Sequence, residues 1–316
     1  MKIVYITGCL GFMGSYVTRA ALARGWRVRG IDKVTYAANL DLLREFKKFR
    51  NFEFENTDIK NMRQLYDCDY VINFAAESHV GNSIINSDEF IESNILGVKN
   101  LLELIRSKPA NCNNKPILFH ISTDEVYGDI EDGAHTEQDL LKPSNPYSAS
   151  KAAGDMLIYA WSRTYDLNYV ILRPTNNYGV GQYPEKLIPL AIKNLMRGKK
   201  IRLHNKGTPI RNWLHASDTA EAVMTIIDSG NVNEIYNVAG GFEQTNLETV
   251  KKIIKAYFGT DEKYKNHVDF SVRREGQDVR YALDDSKIRK LGWSPKIHFD
   301  NAIGEIVLAN KNVFRW

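Results

Sequence analysis

The first 175 residues alternate short apolar runs with stretches of helical period. Lys2–Thr7, Trp26–Asp32, Phe52–Asn56, Tyr70–Ala76, Ile117–Thr123 and Tyr169–Pro174 are rich in β-branched and aromatic residues and read as strands. Several are apolar on both faces, as expected of strands in a parallel sheet covered by helices. Between Asp88 and Ser107, the residues Ile91, Ile95, Val98, Leu102 and Ile105 recur at spacings of four, three, four and three. That spacing predicts one helix with a buried stripe. The alternation predicts an α/β fold, a doubly wound parallel sheet of Rossmann type, because parallel neighbours need crossover connections.

After Pro174 the pattern loosens. Loops rich in Asn, Gly and Pro separate helices expected near Pro184–Met196, Ser217–Asp228, Leu247–Tyr257 and Asn301–Asn310, and Glu234–Gly240 reads as one more strand that would rejoin the first sheet. The expected division is a dinucleotide-binding domain over 1–175, rejoined by about 212–240, and a smaller C-terminal α/β substrate-binding domain over 176–316. No internal repeat or flexible linker separates them, so the two are expected to share a cleft.

The first strand runs into Gly8-Cys9-Leu10-Gly11-Phe12-Met13-Gly14 and then a helix. Glycines at such a loop let backbone approach a pyrophosphate, and the helix N-terminus offers free N–H groups. Three glycines alone are compatible with simple turn chemistry. The second strand, however, ends at Asp32, where a carboxylate can accept hydrogen bonds from the ribose hydroxyls of NAD and repel the 2′-phosphate of NADP. Lys33 beside it is a counter-signal, since a cation suits that phosphate.

Tyr147 and Lys151 lie four apart at the start of a helix that follows Asn145-Pro146. That spacing puts both on one helical face, the ammonium near the phenol oxygen. A free tyrosine titrates near pH 10, so acting as a base at neutrality needs a shift of about three units, roughly 4 kcal/mol. The strand Ile117–Thr123 leads into Thr123-Asp124-Glu125 at the carboxyl edge of the sheet, where α/β folds bind ligands. Taken singly, the Tyr–Lys pair fits an ordinary surface helix, and the two acids fit turn positions.

Composition narrows the class. Hydrophobic residues make up 43% and charged residues 25%, which is ordinary globular usage and argues against disorder. The 42 basic residues are scattered among 38 acidic ones for a net charge of +4, which argues against a nucleic-acid binder. The densest basic stretch, Arg197–Arg202, reads as a solvated helix end. Cys9, Cys68 and Cys112 form no CxxC pair, which fits a reducing compartment. The seven histidines show no metal spacing. With no leader-like start and no apolar run of membrane length, the expected location is the cytosol.

Read together and in order, TGCLGFMGS, DKVTYAAN, Asp58-Ile59, FAAESHV, STDEVYGD, NPYSASKAAGD, RPTNNYG and PEKLIP resemble an extended short-chain dehydrogenase/reductase. Within that family they are similar to a nucleotide-sugar 4,6-dehydratase acting on dTDP-glucose or UDP-glucose. The likeness runs from the first strand to RYALDDSKIRKLGW. Related 4-epimerases lack both acids of Asp124-Glu125, and related UDP-glucuronate decarboxylases have a serine before the glutamate.

The resemblance implies roles. Tyr147 takes the C4-hydroxyl proton, Lys151 tunes the tyrosine and holds the nicotinamide ribose, and Thr123 hydrogen-bonds near the C4 oxygen. Glu125 is the C5 base, and Asp124 is the acid that releases water from C6. Asp124 must then be protonated, and burial beside Glu125 pushes that way. The resemblance places NAD, held as a prosthetic group, against Gly8, Gly11, Phe12, Met13, Gly14, Asp32, Lys33, Val34, Thr35, Asp58, Ile59, Phe74, Ala75, Ala76, Ser78, Ser93, Tyr147, Lys151 and Asn177. It places the nucleotide sugar against Ser78, Thr123, Asn176, Lys186, Leu187, Arg202, Leu203, His204, Arg211, Asn246, Arg273, Arg274 and Gln277. Arg211 and Arg274 suit a diphosphate through paired hydrogen bonds.

Three segments depart from the bacterial dTDP-glucose pattern. His79-Val80-Gly81-Asn82-Ser83 stands for HVDRS, Arg202-Leu203-His204 for PxY, and Arg273 to Gln277 for DRPGH. All lie on the substrate side and leave the base, uridine or thymidine, open. A homodimer is implied by helices Asp88–Ser107 and Tyr147–Thr164, which resemble the pair that builds a four-helix interface in the family. The competing readings are a 4-epimerase or decarboxylase, which Asp124 opposes, and a non-catalytic NAD-binding sensor, which would not need the full Thr-Asp-Glu-Tyr-Lys set.

Overall fold

A computed structural model describes residues 1–108, 115–273 and 278–311. Cys112, Arg274 and Gln277 therefore lie outside the described residues. The strands are β1 (Ile3–Thr7), β2 (Arg27–Asp32), β3 (Phe52–Asn56), β4 (Tyr70–Asn73), β5 (Ile117–Ile121), β6 (Tyr169–Pro174), β7 (Asn176–Tyr178), β8 (Ile201–Arg202), β9 (Ile210–His215), β10 (Glu234–Val238), β11 (Glu243–Thr245) and β12 (Val268–Asp269). Seven of them form one sheet in the order β10-β6-β5-β4-β1-β2-β3. Every neighbouring pair in it is parallel.

Apolar side chains leave this sheet on both faces, as the two-sided sequences predict. One face packs Val4, Ile6, Val28 and Ile72 against Val17 of helix Phe12–Ala23 and Val223 and Ile227 of helix Ala216–Ser229. The other packs Tyr5, Val71, Leu118 and Ile171 against Val98, Leu102 and Ile158. Strand β10 arrives from the C-terminal half and pairs with β6 at the sheet edge. A second core, with Tyr178, Ile188, Ile192, Trp213, Val250, Ile254, Phe299 and Ile303, lies among the small sheets β11-β9-β7 and β12-β8 and their helices.

Two expectations need correction. Tyr70–Ala76 and Ile117–Thr123 were expected as strands, but pairing ends at Asn73 and Ile121. Beyond those points Phe74 makes one last bond to the Thr7 carbonyl and Ser122 one to Leu172, and the chain then turns out of the sheet. The helix expected over Asp88–Ser107 is α-helical at Asp88–Ile91 and Gly97–Arg106, with a π turn at Glu92–Leu96 between them. A wider turn shifts the register. Ile91 is consequently exposed, and Phe90, Ser93 and Asn94 face inward instead.

Candidate active site

The carboxyl ends of β1, β4, β5 and β6 open into one cleft beside the point where strand order reverses between β1 and β4. Its floor is the loop after β1. Gly8 has φ of 65°, and a Cβ on Gly14 would sit 2.1 Å from the Gly8 carbonyl oxygen. Only glycine permits that approach, so the turn brings backbone N–H groups and the start of helix Phe12–Ala23 to the cleft surface. Gly11, the N-cap of that helix, supplies no side-chain cap, which leaves the helix N–H groups available to a phosphate.

Asp32 closes one end. Its Oδ2 accepts from Leu10 N–H at 3.0 Å and its Oδ1 from Val34 N–H at 2.8 Å. Burial raises its pKa, and these two bonds oppose the rise. Lys33 does not reach out as a free cation. Its ammonium donates to Ser93 Oγ at 3.0 Å and lies 3.4 Å from Glu77, 3.6 Å from Glu89 and 3.9 Å from Asp58. Three carboxylates around one cation oppose a further phosphate, so the counter-signal read at Lys33 resolves toward NAD.

Every expected cofactor residue lines this cleft except Val34, whose backbone instead orients Asp32. Glu77, inside the expected Phe74–Ser78 stretch, also lines it, and so do Gln182, Tyr183 and Glu185, which were not foreseen. The glycine loop, the acid and the mixed polar and apolar wall suit a dinucleotide.

At the other end, Thr123, Asp124 and Glu125 leave β5 in a short 3-10 turn, with Thr123 as its N-cap. Thr123 Oγ1 donates to Asp124 Oδ1 at 3.1 Å and accepts from Glu125 N–H at 3.3 Å. Asp124 is 2% exposed, and its Oδ2 has no hydrogen-bond partner among the described residues. Burial, and then the charge of Glu125, push its pKa up to about 7. Glu125 is partly exposed and takes a long bond from Asn145 Nδ2 at 3.4 Å. Burial raises its pKa too, while Arg211 and Lys186 draw it back.

Asn145 caps helix Pro146–Tyr165 with a reciprocal Asn145–Ser148 box, which fixes Tyr147 in its first turn. The Tyr147 hydroxyl lies within reach of Thr123, whose hydroxyl acts to lower the phenol pKa. One expectation about this pair, that the protein's own charges lower the phenol, is corrected. The Lys151 ammonium donates to the Ile121 carbonyl at 2.6 Å and lies 3.4 Å from His120 Nε2. The protein's own charges do not lower the phenol: burial, and then Glu125, push Tyr147 up. Burial brings Lys151 down to about 8.

Of the expected substrate residues, Ser78, Thr123, Asn176 and Lys186 reach the cleft, and Lys186 Nζ donates to the Ser78 carbonyl at 2.6 Å. Arg211 is buried beside it, with its guanidinium 4.5 Å from the centre of the Tyr281 ring and bonded to the Ile210 and Asp278 carbonyls. Leu187 packs on the second core, and Leu203 is buried in it, so these two act through packing. Arg202 and Arg273 are exposed, His204 opens a short turn, and Asn246 begins helix Asn246–Phe258. None of these four lines the cleft. Sequence reasoning missed Tyr281, whose hydroxyl lies 3.4 Å from Glu125 Oε2 and bonds Asp278. Nothing local marks it, because it reaches the site from 156 residues away. Among the described residues no group of His, Cys, Asp and Glu is placed to hold a metal ion, and no helix is long and apolar enough to cross a membrane.

The family described as GDP-mannose 4,6 dehydratase matches residues 5–306. The chain belongs to this family. It is 41% identical to a dTDP-glucose 4,6-dehydratase of Haemophilus influenzae over 97% of both chains. The crystal structure of the Streptomyces venezuelae dTDP-glucose 4,6-dehydratase DesIV, solved with NAD and TYD bound, superimposes with a TM-score of 0.91 at 36% identity, covering 99% of this chain and 97% of that one. A Bacillus cereus UDP-glucuronic acid 4-epimerase shares the fold at a TM-score of 0.90 and 24% identity, covering 99% of this chain and 100% of that one. Backbone shape is thus common to dehydratase and epimerase and does not by itself distinguish them.

Proposed function

We propose that this chain dehydrates a nucleoside-diphosphate glucose, dTDP-glucose or UDP-glucose, to its 4-keto-6-deoxy derivative. The observation that carries the reading is the Asp124–Glu125 pair: one buried carboxyl that holds a proton near neutrality, and one partly exposed carboxylate facing Arg211 and Lys186. NAD held by this cleft would supply a reversible hydride acceptor for the sugar and a positive ring charge that would lower the Tyr147 phenol.

The protein's part is to move protons and hold atoms still. Tyr147 accepts the C4-hydroxyl proton, with Thr123 bonded to it at the same oxygen. The resulting C4 ketone acidifies the C5 proton, which Glu125 removes. Asp124 gives its proton to the C6 hydroxyl, which leaves as water. After the reduction at C6, Glu125 returns its proton to C5. When product leaves, Tyr147 releases its proton and Asp124 takes one up, so the sum is loss of one water with no net redox change. Gly8, Gly11, Gly14 and Asp32 hold the dinucleotide throughout, so the cofactor stays resident. In this reading residues 1–175 with 212–240 grip the cofactor, and 176–316 grip the nucleotide.

The test is to supply dTDP-glucose and UDP-glucose to protein purified without added cofactor. A product lighter by one water, with no accumulation of reduced cofactor, is expected from both. His204 stands where a base-stacking phenol is found in the resembling pattern, and one methyl is worth roughly 10–200-fold only in a close pocket. The two kcat/KM values should therefore fall within about a hundredfold, a span of about 2.8 kcal/mol. Stoichiometric consumption of NAD would replace this reading with a net dehydrogenase.

A further inference from the structure

Beneath Lys151, on the side away from the cleft, the sheet holds a layer of buried polar groups: Asn73 on β4, His120 on β5, Arg173 on β6 and Asp155 on helix Pro146–Tyr165, each 2% exposed or less. Groups so buried must be partnered, and the partners fix where each proton sits. Ala75 N–H donates to Thr7 Oγ1 at 3.2 Å, so the Thr7 hydroxyl spends its own hydrogen on Asn73 Oδ1 at 2.5 Å. That orients the Asn73 amide with Nδ2 toward His120 Nδ1 at 3.0 Å. Nδ1 therefore accepts, and the ring carries its proton on Nε2. Burial and the charges of Lys151 and Arg173 hold His120 well below its usual range, so the ring is neutral.

The Nε2–H faces two groups, Lys151 Nζ at 3.4 Å and Asp155 Oδ1 at 3.9 Å. An ammonium cannot accept that proton. Asp155 Oδ1 is an acceptor by nature, yet at 3.9 Å it makes no hydrogen bond with the ring and has no hydrogen-bond partner among the described residues. The remaining oxygen, Oδ2, is saturated by Ser122 Oγ, Arg173 Nε and Arg173 Nη2, each at 3.0 Å. Asp155 thus follows Lys151 by one helical turn, anchored by Arg173 of β6 and by Ser122 just past the end of β5, with a neutral imidazole filling the space between.

We propose that Asp155 is a positioning residue for the reaction: the buried counter-ion of Lys151, fixed by Arg173 and Ser122 and kept in register by neutral His120. The proposal rests on the reading of Tyr147 and Lys151 as the redox pair. The charged and titratable groups around Lys151 are Tyr147 and Asp155 on its own helix, His120 on β5, Arg173 on β6, and Asp124 and Glu125 beyond Tyr147. Burial drives Lys151 toward its neutral form, and Asp155 is the charge that opposes this. Arg173 is committed to Asp155. Without the carboxylate, two buried cations would flank an uncharged ring, and Lys151 would shed its proton at lower pH. A neutral amine could then accept from His120 Nε2–H and turn away from the Ile121 carbonyl.

Nuclear magnetic resonance of the full-length enzyme tests this with resident cofactor. In the wild type, the His120 ring should show its proton on Nε2; a proton on Nδ1 would overturn the arrangement without any variant being made. With lysine Nζ labelled, the Lys151 titration should move to lower pH in Asp155→Asn by roughly one unit or more, the usual weight of a nearby opposite charge. The alkaline limb of kcat should move with it while KM changes little. Because breaking a buried ion pair can prevent folding, Asp155→Asn with Arg173→Gln removes both charges together, and the same direction of shift is expected. A folded variant whose Lys151 titration stays where it is would make Asp155 a structural partner of Arg173 alone. The lysine titration does not depend on the substrate, so failure of the dehydratase reading would show separately, as absence of product in the wild type.

Discussion

Asp124 and Glu125 are adjacent in the chain, yet their carboxyls occupy opposite electrostatic settings. Asp124 is sealed beneath Thr123, with one oxygen unpartnered among the described residues, whereas Glu125 opens to the cleft under the influence of Arg211 and Lys186. The 3-10 turn that leaves β5 separates them. Two identical functional groups can then serve as acid and base.

The pH dependence follows from Asp124. Its proton is held up to about pH 7 and lost above it. An acid that must be protonated makes the water-loss step fast on the acid side and progressively slower as pH rises through that value. Single-turnover product formation across pH 5.5–9 checks this, at roughly one decade per unit on the far limb. In Asp124→Asn the limb near 7 should vanish.

Asp124→Asn should still oxidise C4 but release water more slowly, by roughly 10²–10⁴-fold if general acid catalysis has its usual weight. Rapid-mixing absorbance of the reduced cofactor should show a species that builds up and persists. Loss of the first step with elimination intact would exchange the roles of the two acids.

Gly14→Ala should abolish cofactor retention. The new methyl would lie 2.1 Å from the Gly8 carbonyl oxygen, which is backbone and cannot swing aside. Affinity for NAD should fall by about 100-fold or more, the equivalent of about 2.8 kcal/mol. Calorimetric titration of NAD into stripped protein measures it, and circular dichroism checks that the fold survives.

Assembly is expected to follow the apolar side chains left outside the core. Ile84, Ile85, Ile91, Leu96, Met156 and Tyr159 are exposed on helix Val80–Ile85, on the outer turns of Asp88–Arg106 and on Pro146–Tyr165, with Ile85 87% exposed. Apolar exposure concentrated on neighbouring helices marks an interaction surface. Light scattering should find a dimer in the wild type and a monomer in Met156→Glu with Tyr159→Glu.

Much was legible in the linear order. The strands of the parallel sheet declare themselves because both of their faces are apolar. The glycine loop and Asp32 declare themselves because a glycine turn opening a helix, and an acid ending the next strand, are local patterns. Tyr147 and Lys151 share a helix face for the same reason, since a four-residue spacing needs no knowledge of the rest of the fold.

Tertiary structure decided what depends on distant partners. Ile91 lost its place in the buried stripe because a π turn shifted the helix register, and such a turn leaves no trace in the spacing. Lys33 points at Glu77, Glu89, Asp58 and Ser93, a setting assembled from four separate segments. Tyr281 meets Glu125 from 156 residues away. The direction of a proton's preference belongs to the same class. Asp124 is an ordinary carboxylate in the sequence and one that holds its proton to about pH 7 in the fold, because the cost of charge is set by burial and by neighbouring charges. Both are properties of the folded surroundings and not of the residue.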